Sequence, residues 1–409
     1  MTAERSRGLG PREFIAFVAL ISASSALAID IMLPAFADMR DQFDLDDDAT
    51  DLSLTLTLFF VGNGVGNFFA GPLADAIGRR RLLQASMAMY FGAAVLAGLA
   101  TSLWLLFAAR FLWGFAAAGP RVLSQAIVRD RHSGDAMARV MTLVHAAFTI
   151  GPIAAPIIGA GLVELGSWRW VMWFGAFIAT VVMLWSTRFE ESLAPEDRRR
   201  FDPATVFRGY SAVMANPVMR GYTIAVTFGF GAFYSFLAST ELIFDDVFDR
   251  SSWFVPYFSI VSAMFGLTAI GANRFLQRRT GTELITLGGA SMVVFSVALL
   301  GLALATDGRP AFVVFIFVFA LANASHVAVF PTMNSLALEP MGKLAGTAAA
   351  VLGVTTSIIA ALLGSLIDRA IDGSITPLAI GYTIYSSLAF AAQYRTTRRH
   401  QRAALASTG

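Results

Sequence analysis

Two ionisable residues of this sequence stand inside long apolar stretches. Asp30 lies in the stretch 14–36, and Arg110 lies in the stretch 103–128. Each stretch is long enough to cross a bilayer, which needs about 20 mostly apolar residues. A charge at that depth in lipid is costly, and it indicates a functional site such as a proton relay or a substrate contact.

The positions of Asp30 and Arg110 predict that they lie at the same depth. Asp30 comes eight residues before Asp38 at the end of its stretch, and Arg110 comes eight residues after Ser102 at the start of its own. At 1.5 Å per helical residue, each lies about 12 Å from the same boundary. We therefore expect a facing pair for proton coupling, because burial and a nearby arginine act on a carboxylate in opposite directions. A fixed structural ion pair is the alternative.

Other ionisable residues in the apolar stretches give weaker signals. Arg121 lies near the inner end of its stretch, where it is expected to reach water or pair at an inner gate rather than contact a substrate. Glu241 is expected at the rim of a later stretch. His145 and His326 could carry protons, but a single histidine in a span more often hydrogen-bonds a neighbouring helix.

The sequence gives no sign of catalytic or metal chemistry. It contains no cysteine, which excludes disulfides and thiolate metal sites, and no histidines or carboxylates have metal-ligand spacing. It has no Ser-His-Asp set, glycine-rich phosphate loop or Walker sequence. We expect neither an enzyme nor an ATP-driven pump, and we expect no cofactor, no metal and no nucleic-acid partner.

The elements that position Asp30 and Arg110 are predicted membrane-spanning helices. The chain is 56% hydrophobic and 14% charged, whereas soluble domains are about 45–50% apolar and about 25% charged. Twelve stretches are long enough to span a bilayer. They are residues 14–36, 52–77, 82–101, 103–128, 136–163, 168–188, 220–244, 251–274, 283–305, 309–336, 343–367 and 375–394.

Basic residues are distributed unevenly among the loops. If the N-terminus is inside, nearly all of the arginines and the one lysine fall in inner segments. The outer segments then hold only Arg40, Arg169, Arg250, Arg309 and Arg369. The positive-inside rule therefore predicts a multi-pass protein of the cytoplasmic (inner) membrane with both termini in the cytoplasm.

The longest hydrophilic stretch, residues 189–219, divides the predicted spans six and six. We expect an N-terminal bundle over residues 1–188, a cytoplasmic linker over 189–219 and a C-terminal bundle over 220–409 with a basic tail. Within the linker, residues 203–214 are expected to form an amphipathic surface helix. Two six-span halves around a central site are a known transporter plan.

The loop between the second and third predicted spans has a distinctive pattern. Its sequence is Gly-Pro-Leu-Ala-Asp-Ala-Ile-Gly-Arg-Arg-Arg-Leu-Leu over residues 71–83. Gly78 predicts a tight turn with positive φ. Asp75 stands at the negative end of a helix dipole, so a cation or a second helix N-terminus should lie beside it. The pattern resembles the signature loop of the major facilitator superfamily at Gly71, Leu73, Asp75, Gly78, Arg79 and Arg80. With Arg129, these residues are expected to form an inner gate.

The fifth span resembles an antiporter motif of that superfamily, a Gly-Pro-x-x-Gly-Gly core with upstream glycines. Proline kinks a helix, and small residues let helices approach closely in lipid. The matching positions are Gly151, Pro156 and Gly159, with Pro152 beside them. Ala155, Ala160 and Thr142 replace glycines of the motif.

Three further segments resemble the bicyclomycin- and chloramphenicol-resistance group of drug/proton antiporters. They are Ala28-Ile-Asp30-Ile-Met-Leu-Pro34, Arg110-Phe-Leu-Trp-Gly114 and Ala126-Ile-Val-Arg129-Asp130. Ala345-Gly346-Thr347-Ala348 matches in the second half, and Trp113 stands where this group often has glutamine. The resemblance implies an all-α integral membrane protein of twelve transmembrane helices in two six-helix bundles. It also implies a monomer that exports small amphipathic drugs or metabolites against proton entry, driven by the proton gradient.

An apolar, aromatic cavity with few polar groups would suit broad specificity. The candidate cavity residues are Asn63, Asn67, Trp113, Phe230, Tyr234 and Asn323, although aromatic residues in spans mostly pack or face lipid. Two rival functions remain. One is proton-coupled uptake of a metabolite by the same fold, and the other is a non-transporting receptor or scaffold. The antiporter-like fifth span favours export, and the buried charges disfavour a scaffold.

Overall fold

Long helices make up almost the whole chain. The computed structural model describes residues 9–46, 50–198, 201–250 and 253–408, and these ranges contain no β-strand. By length and composition, nine candidate membrane spans are found among the described residues. The expected all-α membrane fold is therefore confirmed. Twelve helices of at least 18 residues are present, although fewer pass as apolar spans than the sequence predicts.

The chain divides into two compact units. The first comprises Met1–Phe43 and Leu58–Asp202, and the second comprises Asp44–Thr57 and Pro203–Gly409. The helices of the first unit are α1 Pro11–Asp30, α2 Phe36–Gln42, most of α3 Ser53–Ile77, α4 Arg79–Gly98, α5 Leu103–Arg131, α6 Gly134–Val163 and α7 Arg169–Ser186. This unit therefore has six long helices and the short α2.

The second unit also has six long helices, preceded by one shorter helix. They are α8 Pro203–Ala215, α9 Pro217–Leu242, α10 Phe254–Leu276, α11 Gly281–Ala305, α12 Phe312–Leu338, α13 Ala345–Asp368 and α14 Thr376–Thr408. The helix expected over residues 203–214 is thus present as α8. Buried apolar side chains of α9, α11, α12, α13 and α14 form the core of this unit, and Val213 of α8 joins them.

The observed division differs from the expected boundaries in two places. Residues 44–57, which include the first turn of α3, pack with the second unit, although they precede most of the first unit in sequence. The hydrophilic stretch 189–219 is divided at residue 202, so its first part belongs to the first unit and α8 to the second. Helix α13, Ala345–Asp368, ends in the second unit close to the start of α3.

Glycines let α3 and α5 pack backbone against backbone. A Cβ atom at Gly62 would lie 2.1 Å from the carbonyl oxygen of Phe111, and one at Gly114 would lie 1.9 Å from that of Phe59. A real side chain cannot approach a backbone atom so closely, and a helix backbone cannot move aside cheaply. The first unit therefore depends on these glycines for the α3–α5 contact, as membrane helices commonly do.

We predict that Gly114→Ala destabilises the protein. Alanine stabilises a helix by about 0.8–1.0 kcal/mol relative to glycine. The clash with Phe59 should outweigh this gain and lower the free energy of unfolding by about 1–3 kcal/mol. The measurement is the apparent melting temperature in detergent. Gly92→Ala is the matched control, because Gly92 is an exposed helical glycine with no atom near its Cβ position. Equal melting temperatures for the two variants would contradict the prediction.

Candidate functional site

Asp30 and Arg110 are both buried inside the first unit. Asp30 is the last residue of α1, and its exposed fraction is 4%. Arg110 lies on α5 with an exposed fraction of 0%. The fold therefore buries both of these charges, on helices that pack against each other.

Among the described residues, no hydrogen bond or ion pair joins Asp30 to Arg110. Arg110 Nη1 instead donates a hydrogen bond of 3.1 Å to the carbonyl oxygen of Ala28, two residues before Asp30. The two side-chain charges still act on each other through space. The expected direct contact is thus replaced by an indirect one, in which the arginine binds the backbone of the helix that carries the acid.

Aromatic rings take the place of a contacting carboxylate around Arg110. Its guanidinium carbon lies 4.5 Å from the ring centroid of Phe59 and 5.2 Å from that of Trp113. Such cation–π contacts are worth about 2 kcal/mol when water is excluded. The rings therefore stabilise the buried cation without neutralising it.

Several polar atoms of this pair have no hydrogen-bond partner. They are Oδ1 of Asp30, and Nε and Nη2 of Arg110. A buried polar atom without a partner carries a free-energy penalty, so native proteins rarely keep one without a reason. Three such atoms on two side chains indicate a site that can accept a proton or bind a polar group.

Tyr90 also belongs to this site, although it matches none of the sequence patterns that indicate a site residue. Its hydroxyl donates a hydrogen bond of 3.1 Å to the carbonyl oxygen of Ser24 on α1. Its ring packs against Trp113 in a T-shaped arrangement with 5.2 Å between centroids. Tyr90 thus supports the ring that lies beside Arg110. A tyrosine in an apolar span is unremarkable by pattern, so no local signal could have identified it.

The antiporter-like segment of α6 packs against residues that precede and follow Asp30 in the sequence. A Cβ atom at Gly151 would lie 2.5 Å from that of Ala26, and one at Gly159 would lie 2.1 Å from the carbonyl oxygen of Ile31. Pro156 is buried, whereas the side chain of Pro152 lies outside the described part of the chain. The small residues of this segment therefore bring α6 close to the helix end that carries Asp30.

A second polar cluster occupies the end of the first unit where α3 meets α4, which we call the basic end. Arg79 donates to Asp75 at 2.6 Å and to Asp130 at 3.1 Å. This confirms that a cation lies beside Asp75, as its position at a helix C-terminus requires. Gly78 has φ +98°, so the predicted turn with positive φ is also present.

Glu191, at the start of the hydrophilic stretch, caps the N-terminus of α4. Its carboxylate accepts hydrogen bonds from the backbone N–H groups of Arg79 at 2.8 Å and Arg80 at 3.2 Å. A negative charge there is favourable because the first N–H groups of a helix have no internal partner. A Cβ atom at position 78 would lie 2.3 Å from Oε2 of Glu191, so Gly78 makes room for the cap as well as for the turn.

Other contacts join the end of α7 and the same hydrophilic segment to the basic end. Ser192 donates to Asp130 at 2.9 Å, and Arg80 donates to the carbonyl oxygen of Thr187 at 2.8 Å. Arg131 lies over the ring of Phe189, 5.0 Å from its centroid. Among the expected gate residues, Asp75, Gly78, Arg79 and Arg80 are brought together here. Gly71 lies within α3 and Arg129 is exposed on α5.

The three asparagines among the candidate cavity residues are buried and hydrogen-bonded within their own unit. Asn63 donates to the carbonyl oxygen of Gly114 at 3.3 Å, and Asn67 donates to Asn63 at 2.9 Å. Asn323 donates to Phe319 and accepts from the hydroxyl of Tyr382. In this conformation Asn63 and Asn323 connect helices, whereas Asn67 bonds within α3.

The aromatic residues among the cavity candidates differ in how much of their surface is exposed. Trp113 has no exposed surface, so it supports Arg110 here. Phe230 is half-buried and stacks on Phe330 with 4.5 Å between centroids, and Tyr234 is 8% exposed. Phe230 therefore keeps the most surface of these three for contact with a bound molecule.

The remaining ionisable candidates have different surroundings. His326 is bonded between the carbonyl oxygen of Ala322 and the hydroxyl of Ser386 on α14, in keeping with a histidine that connects neighbouring helices. Arg121 is exposed, and the side chain of His145 lies outside the described residues. Glu241 lies at the end of α9, as expected for a residue at the end of a span, but it is only 9% exposed.

Comparison with known proteins gives a match over most of the chain. The profile of the Major Facilitator Superfamily matches residues 18–365. The chain is 25% identical over 374 residues to a bicyclomycin resistance protein homologue of Haemophilus influenzae, covering 87% of this chain and 88% of the relative. It is also 25% identical over 352 residues to multidrug resistance protein D of Escherichia coli, covering 85% and 86%.

A solved structure has the same fold at lower sequence identity. The crystal structure of a D-xylose–proton symporter aligns with a TM-score of 0.69 and 12% identity, over 94% of this chain and 97% of the symporter. The likeness extends through both units, so the whole chain follows one known architecture.

We predict that Glu191→Ala destabilises the basic end of the first unit. The first N–H groups of α4 lose their acceptor, and the loss of such a cap costs about 0.5–2 kcal/mol. The apparent melting temperature in detergent should therefore fall. Glu190→Ala is the matched control, because Glu190 is the exposed neighbouring residue. A decrease of the same size in both variants would show that charge alone, and not the cap, accounts for the effect.

Proposed function

This chain belongs to the major facilitator superfamily, and we propose that it exports small amphipathic drugs or metabolites in exchange for protons by alternating access. The proton gradient drives the exchange, and no cofactor takes part. The observation that carries this proposal is the buried, non-contacting pair of Asp30 and Arg110. The names of two relatives, which refer to bicyclomycin and multidrug resistance, support drugs as the substrate class.

Asp30 is the proposed proton carrier. Its carboxylate is buried and Oδ1 has no hydrogen-bond partner, so a proton can bind there without first breaking a contact. A carboxylate held in a short, bidentate ion pair with arginine would give up its charge less readily, because that pair is strongly stabilised. The separation of the two side chains therefore favours reversible protonation.

Arg110 is proposed to remain charged throughout the cycle. When Asp30 takes a proton, the arginine loses its counter-charge, and an unpaired buried cation is costly. Phe59, Trp113 and the carbonyl oxygen of Ala28 reduce that cost. The unpartnered Nε and Nη2 atoms can then bind water or an acceptor group of the substrate. Proton binding at Asp30 would thus change what Arg110 attracts.

The basic end is proposed to be the cytoplasmic side and part of the inner gate. Arg79 links Asp75 on α3 to Asp130 on α5, and Glu191 joins the linker to the same point. These contacts hold three helix ends and the linker together, so they can stabilise one conformation of the first unit. The excess of basic residues in the segments assigned to this side supports the orientation.

Proton-coupled uptake is the second candidate function. A sugar–proton symporter shares the fold, and the fold by itself does not set the direction of transport. The antiporter-like packing of α6 on α1 favours export, since Gly151 and Gly159 make the close contacts there. The direction of proton movement during substrate transport distinguishes the two functions.

The test of the proton carrier is Asp30→Asn in proteoliposomes with an imposed pH gradient. Bicyclomycin and a panel of amphipathic drugs and metabolites serve as substrates, and proton movement is recorded with a pH-sensitive dye. We expect wild type to accumulate a substrate against its gradient while protons move the opposite way. Asparagine keeps the shape of aspartate but cannot gain or lose a proton, so gradient-driven accumulation should be abolished.

The matched control for this experiment is Asp41→Asn, because Asp41 is exposed on α2. This variant should transport as wild type does. If Asp30→Asn still accumulates substrate under a pH gradient, Asp30 is not the carrier. If protons and substrate move in the same direction through wild type, uptake replaces export as the function.

Arg110→Lys tests whether Arg110 acts through more than its charge. Lysine lacks the planar group that lies over Phe59 and Trp113, and a buried lysine can lose its proton, whereas arginine does not. We expect the transport rate to fall by at least about tenfold, which corresponds to about 1.4 kcal/mol. Arg81→Lys, at an exposed position of α4, is the control. Normal transport by Arg110→Lys would reduce the role of Arg110 to charge alone.

A further inference from the structure

A second buried carboxylate lies in the second unit, away from Asp30. Asp368 is the last residue of α13, and its exposed fraction is 1%. No basic side chain lies within ion-pairing distance of it among the described residues. A buried carboxylate without a contacting cation requires another form of compensation.

Hydroxyl groups surround Asp368. The hydroxyl of Ser53, in the first turn of α3, donates a hydrogen bond to Oδ2 of Asp368. The hydroxyl of Ser239 on α9 also faces this carboxylate, but its geometry does not complete a hydrogen bond. Ser239 is fully buried and its hydroxyl has no hydrogen-bond partner, so it can accept a hydrogen bond from the protonated carboxyl group of Asp368.

Three charged residues lie near Asp368 in space or in sequence. Glu241 on α9 acts on it as a like charge, and Arg369 follows it in the chain. Asp51, two residues before Ser53, is exposed. No third acidic or imidazole side chain joins Asp368 and Glu241 in a metal-binding group within the described ranges. The cluster thus has hydroxyl donors and acceptors but few ligands for a metal ion.

We propose that Asp368 is a second proton-binding carboxylate, and that its proton holds the start of α3 against α9 and α13. The neutral carboxyl group can stay buried, accept from Ser53 and donate to Ser239. Loss of the proton leaves a buried anion beside Glu241, and the penalty for desolvating that anion exceeds the gain from a charge-assisted bond to Ser53. Water then enters, and residues 50–57 separate from the ends of α9 and α13.

This inference rests on the proposed function only in that the protein uses protons, and it concerns a different carboxylate. Residues 44–57 belong to the second unit while α3 continues into the first. Release of Ser53 would therefore free the N-terminal end of α3, and the C-terminal end of α3 lies at the basic end. A proton on Asp368 would in this way influence a helix that carries Asp75.

The test uses the natural absence of cysteine from the chain. Leu52 is 1% exposed beside Ser53, so Leu52→Cys should react with a maleimide only when residues 50–57 separate from α9 and α13. Thr101→Cys, at an exposed position, corrects for the pH dependence of the thiol itself. We expect the ratio of the two labelling rates in purified protein to rise about tenfold between a mildly acidic and a mildly alkaline pH, because loss of the proton favours the separated state.

Substitutions at the two carboxylates separate this proposal from the proposed function. In an Asp368→Asn background the ratio should stay low at both pH values, because asparagine remains neutral. In an Asp30→Asn background the rise should persist. A rise that survives Asp368→Asn, or no rise with wild-type carboxylates, would overturn the proposal. A ratio that follows sodium concentration at constant pH would also overturn it, by assigning the cluster to a metal cation.

A second measurement does not depend on the buried cysteine. The infrared carbonyl band of a protonated carboxylic acid should disappear from the wild-type protein as the pH is raised. Part of this change should be missing in Asp368→Asn and present in Asp30→Asn. If the pH-dependent band is the same in wild type and Asp368→Asn, Asp368 does not bind a proton in this range and the proposal fails.

Discussion

The burial of Arg110 without a contacting carboxylate is the constraint on which the first unit depends. Its guanidinium group is held by the rings of Phe59 and Trp113 and by the carbonyl oxygen of Ala28. These three groups come from α3, α5 and α1, so the position of the cation requires all three helices to be in place. The rings attract the cation without neutralising it.

Close helix packing follows from the same constraint. Side chains on three helices can surround one guanidinium group only if the backbones approach closely. Gly114 provides this between α3 and α5, and Gly159 provides it between α6 and the end of α1. Neighbouring helices in lipid gain little from burying apolar surface, so small residues and van der Waals contact must supply the attraction.

At the basic end of the first unit, charged side chains also compensate for one another and for helix ends. The carboxylate of Asp75 lies at a helix C-terminus, where the dipole disfavours it, and Arg79 compensates for it. Glu191 in turn satisfies the N–H groups at the start of α4. The linker segment therefore has a structural role at the signature loop, in addition to connecting two bundles.

The sequence by itself determined the features that depend on local order: the long apolar helices, the positive φ at Gly78, and the two charges at Asp30 and Arg110 inside spans. Hydropathy and turn chemistry act over a few neighbouring residues, so they can be predicted from the sequence. Only the tertiary structure decided which residues form hydrogen bonds with each other across the chain. Arg110 bonds to a residue 82 positions away, Glu191 caps a helix 112 positions away, and Ser53 bonds to Asp368 across 315 positions. No local pattern encodes such pairings, because they arise only when distant helices pack together.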